Sequence, residues 1–132
     1  MQETLNPKSE TLNKLKIQNP KRFDLADRTL SFSKRVLAYV SFLPKNLANN
    51  EIAKQLLRSV GSIGANYIEA EEALSRKDFV MRIKISRKEA KETIYWLNLV
   101  APSDNRAAET QALIQEATEL MKIFGAIAEK SK

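Results

Sequence analysis

Histidine and cysteine are both absent from this chain of 132 residues. That removes disulfides, thiolate nucleophiles, Cys/His zinc sites and the side chain that most often moves protons near neutral pH. Glycine occurs three times and proline four times. These are too few turn formers for a many-stranded β fold, which favours helices. No apolar run approaches the roughly 20 residues that span a bilayer, so no membrane partner is expected. The opening MQETLNPKSE has no apolar core of the kind a signal peptide carries, and the lack of cysteine fits a cytoplasmic protein. Lysine and arginine number 22 against 16 aspartates and glutamates, a net charge of +6. The balance suits an acidic partner such as nucleic acid, or an ordinary basic surface.

What is present is helical periodicity in a chain of single-domain length. Residues 1–23 read as an arm with little structure of its own. Pro7 and Pro20 interrupt it, and Leu5, Leu12, Leu15 and Ile17 form no sustained stripe. From residue 24 to 132 the pattern predicts an all-α, antiparallel up-and-down four-helix bundle. The first helix is expected to start at Asp24 and to bury Leu25, Leu30, Phe32, Val36, Leu37, Val40 and Leu43 before Pro44 stops it. Asn49 or Asn50 is the expected cap of the second, whose stripe is Ile52, Leu56, Leu57, Val60, Ile63, Tyr67 and Ile68. Ser75, with Asp78 three residues on, resembles a capping box that opens the third helix. Its core positions are Phe79, Ile83, Ala90, Ile94 and Leu97. Pro102 ends it, and Ser103 or Asp104 is expected to cap the fourth, where Leu113, Ala117, Leu120, Phe124 and Ile127 step by four, three, four and three.

The stretch RSVGSIGANYIEAEEALSRKD, Arg58 to Asp78, holds two glycines three residues apart. A G-x-x-G clamp of an RNA-binding KH module needs flanking mixed α/β structure, and a phosphate-binding P-loop needs Gly-Lys-Ser/Thr after its spacer. Neither context is present. The apolar phase continues unbroken through Gly61 and Gly64, which predicts a helix interior. Each such glycine costs about 1 kcal/mol relative to alanine, and the expected compensation is close approach of another helix at Gly61, Gly64 and Ala65. Arg58, Ser62, Asn66 and Glu69 share another face, at about 100° per residue, and read as a solvated stripe or a polar network between helices. Glu69, Glu71 and Glu72 lie out of phase with the apolar face and lack the histidines of a di-metal bundle site. No metal, cofactor or small-molecule substrate is expected.

The third helix carries two further surfaces. Met81, Ile85, Trp96 and Leu99 form a second apolar face, which suggests self-association. Between the two apolar faces lies a basic row of Lys77, Lys84, Lys88 and Lys91, with Arg87 alongside. The segment from Arg76 to Lys91 holds seven Lys/Arg against Asp78 and Glu89. Such a row can neutralise successive phosphates, or it is a solvated face whose long side chains cover apolar edges. No aromatic platform accompanies it, so any nucleic-acid binding should be backbone-directed and salt-sensitive.

The run QLLRSVGSIGANYIEAEEALSRKDFVMRIKISRKEAKETIYWLNLV, Gln55 to Val100, resembles the bacterial four-helix-bundle proteins of the 23S rRNA intervening-sequence family. The most specific pieces are RSVGSIGANYIEA, SRKDF and KEAKETIYWL. The first and fourth helices match in pattern only, and nothing carries over to the arm. The resemblance implies a homo-oligomeric ring, in some members a pentamer, with no enzymatic activity. It also implies an association with RNA or the ribosome. The family's motif positions are here Arg58, Ser62, Asn66, Glu69, Ser75, Arg76, Asp78, Phe79, Lys88, Glu89, Glu92, Tyr95 and Trp96. Several read as polar contacts between the second and third helices that fix register. Two functions follow as expectations: an oligomeric bundle that binds structured RNA through its basic face, or an assembly scaffold without nucleic acid.

Overall fold

The computed structural model describes residues 25–132; the expected arm and the expected Asp24 cap lie outside them. Four helices follow one another: α1 (Leu25–Ser41), α2 (Leu47–Glu71), α3 (Arg76–Leu99) and α4 (Ala107–Lys130). A single 3₁₀ turn, Asp104–Arg106, precedes α4. Helices adjacent in sequence pack together and α1 closes the circuit onto α4, which is the up-and-down bundle expected from short connectors. Among the described residues no helix is long and apolar enough to cross a membrane.

The core is one cluster in which Leu56, Ile63, Ile83, Ala90, Ala117, Leu120 and Phe124 are fully buried. Two α1 positions depart from expectation. Leu30 and Leu37 are 54% and 59% exposed, while Thr29 and Tyr39 take inward places. Threonine and tyrosine can turn inward because their polar ends are satisfied. The Thr29 hydroxyl donates to the carbonyls of Leu25 and Ala26 at 2.8 and 3.0 Å. The Tyr39 phenol and the Thr110 hydroxyl lie 2.6 Å apart. Burial raises the Tyr39 phenol pKa above its ordinary value, with the Thr110 hydrogen bond opposing.

α2 runs unbroken through both glycines. Within the chain, the close approach expected along Gly61, Gly64 and Ala65 is made at Gly64. A Cβ built there would sit 2.9 Å from Thr29 Oγ1 and 3.2 Å from Thr29 Cβ, whereas one at Gly61 would meet nothing within 4 Å. Gly61 and Ala65 are exposed, because their helical phase carries them past the α1 contact and outward.

The caps differ in two places. Asn46 caps α2, its side chain accepting from the Asn49 amide at 2.8 Å. Asn49 is itself buried. Its side chain donates to Pro44 O and Ala101 O and accepts from Ala101 N, each at 3.0 Å. One asparagine thus ties the α1–α2 connector to the α3–α4 connector. The second departure is at α4, which begins without a side-chain cap; the 3₁₀ turn supplies its lead-in. Ser75 does cap α3, accepting from the Asp78 amide at 3.0 Å.

Candidate nucleic-acid interface

α3 is the helix whose outward side sets the surface chemistry. Lys77, Lys84, Lys88 and Lys91 are spaced by seven, four and three residues, so they share one side of it. All four are exposed, as is Arg87. Arg87 leans onto α4. Its Cδ and Nε would lie 3.7 Å from a Cβ at Gly125, so the bare glycine gives the side chain a place to lie across the neighbouring helix. Of the two acids in this segment, Glu89 is buried on the α2 side and Asp78 sits in the first turn. Neither interrupts the row. Beside its α4 edge stands Glu129, which Lys132 contacts at 2.7 Å. The hydrogen bond and charge of Lys132 hold its carboxyl below the usual range, with Lys84 and Arg87 adding to the effect.

Behind the row, α3 is joined to α2 by a polar seam. Ser59 and Thr93 hydroxyls meet at 2.8 Å in the buried interior, and Thr93 also donates to Glu89 O at 2.8 Å. The Ser86 hydroxyl donates to Ile63 O at 2.8 Å. Toward the surface, Arg58 pairs with Glu92 and reaches Glu89 Oε1 at 3.9 Å. Trp96 Nε1 donates to the same Glu92 oxygen at 3.0 Å. This Trp96 hydrogen bond, and then Arg58, hold the Glu92 carboxyl below its ordinary value against the opposing effect of burial. About two turns along, Asn66 donates to Ser62 O and Oγ at 2.9 and 3.0 Å, and its own Oδ1 accepts from Arg82 at 3.1 Å. Arg58 and Asn66 therefore reach across to α3, and Ser62 holds Asn66 from within α2. Glu69 is exposed and stands apart from the seam. No group of three or more acidic side chains among the described residues could hold a metal ion.

A family model described as 23S rRNA-intervening sequence protein matches residues 21–126. The chain belongs to this family. A solved structure supports the placement: a crystal structure of a protein of unknown function from the S23 ribosomal protein family of Bacteroides thetaiotaomicron. It is 35% identical, with a TM-score of 0.70, and the match covers 83% of this chain and 98% of that one. No curated protein matches the chain. The family match takes in α1, α2, α3 and most of α4, and with them the whole basic row.

In this member of the 23S rRNA-intervening sequence family the second apolar face of α3 is divided. Met81 and Leu99 are exposed, whereas Ile85 and Trp96 are half-buried. Trp96 packs against the core of its own bundle and meets Tyr95 edge-on at 4.9 Å between ring centroids. Met81 and Ile85 instead belong to a groove that they share with the lysines. The seam residues Ser59, Ser86 and Thr93 escaped sequence reasoning because a small hydroxyl in an apolar stripe gives no periodic signal, and Arg82 because only the packing of α2 on α3 brings it to Asn66. Lys132 escaped because only the tertiary fold brings the end of α4 beside Lys84.

Proposed function

We propose that this protein is a non-enzymatic helical bundle that associates with copies of itself and binds structured RNA, in a ribosomal setting, through the basic face of α3. The observation that carries the reading is the exposure of Lys77, Lys84, Arg87, Lys88 and Lys91 along one side of a helix, while the acids of the same segment are turned away or confined to its first turn. Such a row meets phosphates at successive positions and releases counterions, so binding is strong at low salt and weakly selective for sequence. The family's connection with 23S rRNA intervening sequences points the same way by analogy. The non-enzymatic part of the reading rests on the chain's lack of histidine and cysteine.

For self-association we favour the outward side of α1 and α2 over the divided face of α3. Leu30 and Leu37 are exposed there on α1, and Ile68 beside Gly61 and Ala65 on α2. A glycine inside a helix costs about 1 kcal/mol, and nothing within the chain uses the space at Gly61. Close approach by a second copy is the use that fits. Gly61→Leu is expected to lower the sedimenting mass while leaving helicity unchanged; a wild-type monomer at all concentrations overturns the self-association.

The RNA reading is tested by binding of a hairpin RNA across salt. With about five phosphate contacts, affinity should fall by about two to three orders of magnitude between about 50 and 200 mM salt. Each Lys→Gln change in the row should reduce the log–log slope by about one. Affinity that is independent of salt, or no retention of RNA at low salt, refutes the reading.

A further inference from the structure

The four helices are unequal, and the difference falls at one end of the bundle. α1 has 17 residues, whereas α2 has 25 and α4 has 24. Thr29 faces Gly64 and the Ser33 hydroxyl donates to Val60 O, so antiparallel register puts Leu25 level with about Ile68. On the other side Tyr39 meets Thr110, and Arg28 meets Glu116 and Glu119. Leu25 therefore comes no further along α4 than about Phe124. Residues 69–71 of α2 and 125–130 of α4 run past the start of α1. A groove of about 800 Å³ lies there. Its apolar wall is Tyr67, Phe79, Ile123 and Ile127, of which the last three are half-buried. Leu25 lines it too. Its rim has mixed charge, with Glu71 on α2 and Lys122 and Lys130 on α4.

We infer that this groove seats the chain's own N-terminal segment, with Phe23 and Ile17 on Phe79, Ile123 and Ile127, in the place that about two further turns of α1 would fill. Three observations select this occupant. The first is that the chain enters the bundle here. Leu25 is a wall residue, and residues 1–24, outside the described ones, precede it. Phe23 is held within about 7 Å of Leu25 and Ile17 within about 28 Å, by the reach of an extended chain. The overhang of α4 is about 9 Å long, so Phe23 reaches the near part of the wall and Ile17 all of it. The second observation is composition. Phe23 and Ile17 are the nearest large apolar side chains before Leu25, and Gln18 to Arg22 between them carry none. The third is attachment. A segment joined to the wall is present at an effective concentration of the order of millimolar, far above that of a second copy at about 1 µM. The mixed rim favours no partner of a single charge sign, so it gives neither RNA nor an acidic peptide an advantage. None of the groove residues belongs to the basic row, so this site stands whether or not the row binds RNA.

The test is limited trypsin digestion of the full chain, with the cleavage sites read by mass spectrometry. Lys16, Lys21 and Arg22 lie in the seated segment, and Lys8 lies before it. Cleavage follows the population in which a segment is released. The cuts after Lys16, Lys21 and Arg22 should be slower by about tenfold or more in the wild type than in Ile127→Asp and in Ala126→Trp, with the cut after Lys8 the same in all. Ala126 is exposed and lines the groove, so a tryptophan there fills the groove without entering the core. If Ile127→Asp loses helicity by circular dichroism, Ala126→Trp decides alone. Phe23→Ser should also speed the cut after Lys16, although the residues beside that bond are unchanged. Equal rates in the wild type and Ala126→Trp overturn the proposal. So does protection at Lys16 that survives Phe23→Ser. Protection that vanishes on dilution from about 100 to about 1 µM would give the groove to a second copy's segment and overturn the proposal too. A chain that shows this protection and binds no RNA leaves the proposal standing and removes the RNA reading alone.

Discussion

Replacing each of the two glycines of α2 with alanine should move stability in different directions, and the geometry sets how far. At Gly61 the new methyl meets nothing within 4 Å, so the variant gains the helix preference of alanine over glycine, about 1 kcal/mol. At Gly64 the methyl would lie 2.9 Å from Thr29 Oγ1 and 3.2 Å from Thr29 Cβ. Thr29 is buried, and its hydroxyl is held by two carbonyls of α1, so rotating it away breaks those bonds. Overpacking of this kind costs about 1–3 kcal/mol, partly offset by the same 1 kcal/mol of propensity. The two variants should therefore differ by about 1–3 kcal/mol, with Gly61→Ala above wild type and Gly64→Ala below the Gly61 variant. Urea unfolding followed by far-UV circular dichroism at low micromolar protein reads this directly, since dilution minimises any contribution from assembly. Adding Thr29→Ala to Gly64→Ala should give back about 1 kcal/mol relative to the sum of the single changes. Equal stability of the two glycine variants, or the reverse order, would refute the close approach at Gly64.

Two further outcomes follow from the seam and the connectors. The Glu92 carboxyl is held low by Trp96 and Arg58, so its contribution is present above the ordinary Glu value near about 4.3 and is lost as pH falls through the depressed folded value. Trp96 is the only tryptophan, so its emission should change in that acid range in the wild type and not in Glu92→Gln; the same acid transition in both would disconnect the pair. Asn49→Ala removes three hydrogen bonds from a buried position and should lower stability by about 2–3 kcal/mol. A loss below half of that in urea unfolding would mean that the connectors hold without it.

Much of the molecule could be read from the residues. Continuous phase from Ile52 to Ile68 predicted α2, and no break occurs at Gly61 or Gly64. The inward positions of α4, from Leu113 to Phe124, are the buried ones. The basic residues chosen on α3 are the exposed ones, because a run of lysines at helical spacing has no other stable place. Leu30 and Leu37 read as core and are outside, while Thr29 and Tyr39 are inside. Hydrophobicity alone ranks those pairs the other way; the carbonyls of α1 and the hydroxyl of Thr110, which satisfy the inward polar groups, lie in geometry and not in composition.

By itself the sequence determined four helices, their order, their inward stripes and the positive side of α3, since each is a periodicity carried within one segment. Which glycine touches a neighbour, which asparagine joins two connectors, and which lysines from α3 and beyond α4 border one groove were decided by tertiary structure alone. Those relations depend on the rotation of each helix about its axis and on its neighbours' side chains, and both are settled only when the four stripes pack against one another.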